Sequence, residues 1–244
     1  MRPVPANARR LPIATLAASS AGFRTRQAIE RAIREKRLVG LSQQIQDELA
    51  DRLLSLNGKH PSPRVIVRRL EENWDQVKDK ALKRHPSLDA YALDVAKPVV
   101  QQLVVDTESL FASLKSLVDV AARLVGTTER RVLHIPQSDR TTHDQLIALG
   151  TDPNRRETLT GIRDQLIHES VPWFEVVIPP NSTPDLLIGY SPKPDYAAGT
   201  GFILLSELDS LVRSVDEHLD AVETMLVNRI DQHQKPGGVG VVAP

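Results

Sequence analysis

Seven apolar positions, Leu208, Leu211, Val215, Leu219, Val222, Leu226 and Ile230, recur every three or four residues through a stretch that contains neither proline nor glycine. A second run, Leu103, Leu110, Leu114, Leu117, Ala121 and Leu124, lies between Pro98 and Gly126. At 3.6 residues per turn each run forms one apolar stripe along a long helix, and such a stripe has to be covered by other helices. Pro98 suits a first-turn position and Gly126 a stop. Aromatic residues make up only 4% of the chain, so the core is expected to be Leu, Val, Ile and Ala. These features predict an all-α fold, an up-and-down helical bundle.

The remaining pattern fits around these two helices. Residues 25–56 are helical in period, with Gly40 a candidate break and Asn57-Gly58 a stop. "HPSP" at 60–63 reads as a loop. A further helix is expected over about 64–84, with Ser87 and Asp89 as caps for the segment that follows, through Ala96. Asp152 and Pro153 supply an N-cap and first-turn signal for a helix reaching about Ser170. After Pro172 the period changes. "WFEVVI" at 173–178 and "DLLIGY" at 185–190 are rich in β-formers and flank Pro179-Pro180-Asn181, which predicts a two-stranded insert within about 172–204. The expected organisation is therefore a flexible arm over 1–23, a basic helical region over 24–89, a bundle with its β-hairpin insert over 90–233, and a disordered tail over 234–244. The stretch "MRPVPANARRLPIATLAASSAGF" pairs basic residues with a short apolar run broken by Pro12, and is read as an arm rather than a signal peptide.

Charge is unevenly placed. Residues 1–85 carry 18 Lys/Arg and 9 Asp/Glu, whereas residues 86–244 carry 13 and 22. Such asymmetry marks either a nucleic-acid face, for which Arg24, Arg26, Arg31, Arg34 and Arg37 are the candidates, or a basic segment that packs on the acidic one. The chain has no cysteine, which excludes disulfides, thiol nucleophiles and cysteine-ligated metals. A phosphate-binding glycine loop and a Gly-x-Ser-x-Gly elbow are also missing. No run of about 18 apolar residues suggests a membrane span. His134 and His143 share a long polar stretch over 127–151, but their spacing matches no metal motif. Neither a metal nor a cofactor is expected, and the expected location is the cytoplasm.

One short segment carries chemistry. In "TLTGIRDQLIHESVPWFE", residues 158–175, Arg163, Asp164 and His168 lie within six positions. With 22 arginines and 7 histidines, roughly 0.6 Arg-x4-His pairs arise by chance. There are two, Arg163…His168 and Arg213…His218, so context has to separate them. Arg213 sits in the last long helix, where a solvated face explains it. Arg163 is followed by an acid, then by Leu166 and Ile167, in a helix that lies between the two longest ones.

"IRDQLIHE" in this setting resembles the HEPN superfamily of helical-bundle proteins, whose signature is Arg, a polar residue, and His after four to six intervening positions. The resemblance covers about residues 90–233 and leaves the first 85 uncovered. It implies a metal-independent RNA endonuclease whose two motifs meet across a homodimer, with a toxin or phage-defence role and a cognate antitoxin as partner. It equally allows a non-catalytic dimerisation, RNA-binding or partner-binding module. Physically, Asp164 and His168 are i,i+4 neighbours, so the carboxylate is placed to orient the imidazole. His168 is then a base for attack by a ribose 2′-hydroxyl, and Arg163 holds the phosphate and its developing charge. The competing reading is an ordinary helix end, with Arg163 and Asp164 paired to neighbours and His168 favoured by the helix C-terminus. Trp173 and Phe174 could stack on a base, but at the start of an apolar strand they are more naturally core.

Overall fold

A computed structural model describes residues 21–38, 41–84, 90–92, 97–135, 158–178 and 183–233. The helices are α1 (Phe23–Arg34), α2 (Gln43–Lys59), α3 (Ser62–Arg84), α4 (Pro98–Thr127), α5 (Leu159–His168) and α6 (Leu208–Gln232). Pro98 occupies the first turn of α4 as its sequence predicts. The break between α1 and α2 brackets Gly40, whereas Asn57-Gly58 does not stop α2, which continues to Lys59. Beyond Gly126 the chain does not become irregular at once. A π-turn over Thr128–Val132 continues α4 and buries Thr128 and Val132. The N-terminal arm over 1–20, the capping signals at 87, 89, 152 and 153, the 136–157 part of the long loop with His143, Pro179-Pro180-Asn181 and the tail over 234–244 lie outside the described residues.

The fold is mainly α, with α4 at its centre, packed against α2, α3, α5 and α6, while α1 lies on α6. Leu103, Leu110, Leu114, Leu117, Ala121 and Leu124 are all buried, as is the whole α6 stripe from Leu208 to Ile230. Each buried Leu contributes roughly 1.5–3 kcal/mol by leaving water. A single hydrophobic cluster runs from Ala28 of α1 to Ile230 of α6. The first third of the chain therefore shares the core instead of forming a separate layer, because the apolar faces of α1, α2 and α3 close the stripes that α4 and α6 leave open.

The expected two-stranded insert is a four-stranded antiparallel sheet in the order β1 (Ala90–Ala92), β2 (Trp173–Val177), β3 (Asp185–Gly189), β4 (Phe202–Leu204). The hairpin of β2 and β3 is where the pattern places it, with Phe174 opposite Ile188 and Val176 opposite Leu186. The two outer strands have only three residues each. That is too short for alternation to register, so residues 90–92 carry no strand signal and Phe202–Leu204 reads as a lead-in to α6. Trp173 faces away from Phe174 and covers Gly189, its cross-strand partner; a Cβ at Gly189 would lie 1.9 Å from Trp173 Cε2. The indole Nε1 donates to Ser191 O at 2.9 Å. Phe174 is core, and Trp173 is committed to the outer face of the sheet.

The charge asymmetry has a packing explanation. Arg31 pairs with Asp231 at 2.6 Å, Arg64 and His60 converge on Asp216 at 2.5 and 2.9 Å, and Arg24 meets Asp220. Arg37 donates to Ile230 O at 2.6 Å, at the C-terminal end of α6. The exposed pairs Arg31–Asp231 and Arg24–Asp220 are each worth about 0–1 kcal/mol. Together they align a basic N-terminal region with the acidic face of α6. Arg69 similarly reaches the fully buried Asp106 of α4 at 2.5 Å.

Candidate functional site

Helix α5 is a ten-residue element held by three apolar residues. Leu159, Ile162 and Leu166 are buried, and α5 packs on α4. Thr158 caps it, its hydroxyl accepting from Gly161 N at 3.1 Å. The C-terminal end is tied to the sheet: Ser170 N donates to Gln165 O at 2.9 Å, and Ser170 Oγ donates to Tyr190 O at 2.5 Å. Tyr190 is fully buried, so this bond anchors the end of α5 to the core.

On this frame the three motif residues take different positions. By helix geometry His168 lies about 180° around the axis from Leu159, and it is exposed. Arg163 flanks the buried stripe with its side chain one-third exposed, and Asp164 is half-exposed. Arg163 Nη1 donates to Asp164 Oδ1 at 2.7 Å. Asp164 and His168 share a face, yet no hydrogen bond joins them among the described residues. The expected carboxylate–imidazole pair is replaced by an arginine–carboxylate pair, because the neighbouring guanidinium offers a charge-assisted partner. Ile167 and Val171, one before and three after His168 in sequence, are 46% and 64% exposed, which puts apolar surface near the histidine.

The second Arg-x4-His pair differs. Arg213 is exposed on α6, as a solvated helix face requires, but His218 is half-buried. Of the five candidate RNA-binding arginines, Arg24, Arg31 and Arg37 are engaged with α6, and Arg26 pairs within its own helix with Glu30 at 2.8 Å. Arg34 is exposed and makes no ion pair among the described residues. No group of three or more His, Asp or Glu among the described residues is arranged to hold a metal ion. Among the same residues, no helix is long and apolar enough to cross a membrane. No protein-family model, curated protein or solved structure matches this chain.

Proposed function

We propose that the chain is a HEPN-type endoribonuclease that cleaves RNA without a metal, acts as a cytoplasmic homodimer, and serves a toxin or phage-defence role with a cognate antitoxin as partner. The packing of α3 and α6 on α4, and of α1 on α6, supports an up-and-down bundle as its frame. The observation that carries the reading is the exposure of His168 on a helix that has an apolar buried face and also carries Arg163, five residues earlier and about 140° around the axis. An exposed imidazole reaches a 2′-hydroxyl, and the long Arg163 side chain swings toward the same cleft to hold the scissile phosphate. The exposed Ile167 and Val171 support a second copy docking next to the motif and bringing a second Arg/His set to one cleft.

The second reading is a non-catalytic module on the same frame, and the Arg163–Asp164 pair favours it. A guanidinium neutralised by its neighbour is a weaker phosphate ligand, and His168 lacks its orienting acid. The nuclease reading therefore requires RNA phosphate to displace Asp164 from Arg163, which frees the carboxylate to turn toward His168.

Incubating the full-length protein with mixed cellular RNA in EDTA tests this. The nuclease leaves 2′,3′-cyclic phosphate ends, and His168→Ala and Arg163→Ala each lose on the order of 100-fold in rate. Arg213→Ala is the control and stays near wild type; His218 is no control, since a half-buried side chain also changes packing. Wild-type protein that leaves RNA intact favours the non-catalytic reading, and cleavage that all these variants retain removes the α5 motif as its source.

A further inference from the structure

A cavity of about 270 Å³ opens where α2 meets the C-terminal end of α4, and it is lined by Glu48, Arg52, Arg123, Thr127, Arg130 and Arg131. Arg123 and Thr127 share one face of α4 at i and i+4. The π-turn after α4 carries Arg130 and Arg131 to the same opening; such turns recur at functional positions. Glu48 is the internal support. Its Oε1 accepts from Arg52 Nη2 at 2.5 Å and from the buried Thr127 hydroxyl at 3.2 Å, while Oε2 pairs with Arg131. Arg52 Nε also donates to Thr127 Oγ1 at 3.0 Å, so two guanidiniums are fixed by one carboxylate and one hydroxyl.

The other two arginines are left over. Arg130 folds back across Gly126, donating from Nε to Gly126 O at 3.1 Å, and a Cβ at Gly126 would lie 3.1 Å from its Nη2. Neither Arg123 nor Arg130 has a carboxylate partner among the described residues. Glu129, next in sequence, is taken by Arg229. Asp51 lines an adjoining cavity of about 210 Å³, and counting it still leaves four guanidiniums against two carboxylates. Concentrated cations around a concave space raise a positive potential that an anion relieves, and guanidinium forks match phosphate oxygens. The cavity is smaller than the roughly 300–1,000 Å³ of pockets that enclose a whole organic ligand, so its occupant is compact.

We propose that this arginine cavity binds a phosphate or pyrophosphate group, with Arg123 and Arg130, which have no carboxylate partner among the described residues, as its ligands and Arg52 and Arg131 as its fixed rim. The site is independent of the α5 motif and stands whether or not the protein is a nuclease. The group comes either from a free phosphoanion or from the terminal phosphate of a nucleic-acid strand. Titration calorimetry on the full-length protein at about 0.15 M salt distinguishes them. The probes are inorganic pyrophosphate and one short 2′-O-methyl oligonucleotide, prepared with a 5′-phosphate and with a 5′-hydroxyl, neither of which a 2′-hydroxyl-dependent nuclease cleaves. Pyrophosphate is expected to saturate one site, and Arg123→Gln/Arg130→Gln to weaken it at least about tenfold with an unchanged circular dichroism spectrum. Arg123→Gln alone, an exposed change, gives the same direction should the double variant be unstable, and Arg213→Gln leaves binding intact. Tighter binding of the 5′-phosphorylated strand assigns the group to strand ends; equal binding of the two strands with pyrophosphate retained assigns it to a free phosphoanion. The proposal is overturned by unsaturable pyrophosphate binding together with indifference to the 5′-phosphate, or by binding that Arg123→Gln and the double variant both leave unchanged.

Discussion

Glu223 offers the sharpest test of how the N-terminal region is held. Helix α1 begins with Gly22 at φ 83°, which provides no side-chain cap, and its first turn contains no acid. Glu223 of α6 supplies both from another element: its Oε1 accepts from Thr25 N at 3.0 Å, and its Oε2 lies 3.5 Å from Arg24 Nε. Thr25 is fully buried, so truncating Glu223 to Ala leaves an amide N–H with neither protein nor water. An unsatisfied buried donor costs about 1–3 kcal/mol, and a hydrogen bond to a charged group is worth about 1.5–3. The carboxylate at the positive end of α1 adds about 0.3–1 kcal/mol. These ranges describe overlapping parts of one interaction, so Glu223→Ala is expected to lose about 2–3 kcal/mol in total. Glu223→Gln keeps an acceptor and loses the charge, and about 1 kcal/mol is expected. Urea denaturation reads this directly. At a slope of about 1–3 kcal/mol/M, the Ala variant shifts the midpoint by roughly 0.7–3 M with the slope unchanged. Because the pair is buried, most of the loss persists in 1 M salt. A loss below about 0.5 kcal/mol for Glu223→Ala, or an equal loss for Ala and Gln, would refute the capping argument.

Three further outcomes follow from particular contacts. Gly189→Ala places a Cβ on the Trp173 ring and forces the indole off its bond to Ser191 O; about 2–4 kcal/mol of destabilisation and altered tryptophan fluorescence are expected, and a change under about 0.5 would mean the ring yields freely. Thr107 is fully buried in α4, and its hydroxyl has no hydrogen-bond partner among the described residues, so Thr107→Val should stabilise by about 1 kcal/mol, and a loss of stability in thermal unfolding contradicts that. The Arg52 hydrogen bond, offset in part by burial and aided by Thr127 and Arg131, holds the Glu48 carboxyl below its ordinary value of 4.5. Its contribution is therefore fully present above the unfolded value and is lost as pH falls through the lowered folded one, so the stability gap between wild type and Glu48→Gln should narrow as pH falls below 4.5; a gap that stays constant shows Glu48 acts by shape alone.

Much of this fold follows from period and punctuation. The stripes of α4 and α6, the Pro98 start, the break near Gly40 and the β2–β3 hairpin are local patterns repeated over enough residues to be unambiguous, because a helix or a strand imposes its own period on whatever it buries. The Arg163/Asp164/His168 segment stands out in sequence by the Arg-x4-His spacing and its place between the two longest helices, not by period. Three-residue strands impose no readable period, and β1 and β4 exist only because β2 and β3 offer edges to pair with. Charge totals show that the first third is basic, but only packing shows that Arg24, Arg31, Arg37 and Arg64 face acids of α6 some 150 to 200 positions away. Spacing places Asp164 beside His168, yet the nearer guanidinium of Arg163 takes the carboxylate. The arginine cavity joins Arg52 to residues more than seventy positions later in the chain. Helical period is set within a few residues of sequence, whereas the partner of a charge is chosen by whatever the fold brings within a few ångströms of it.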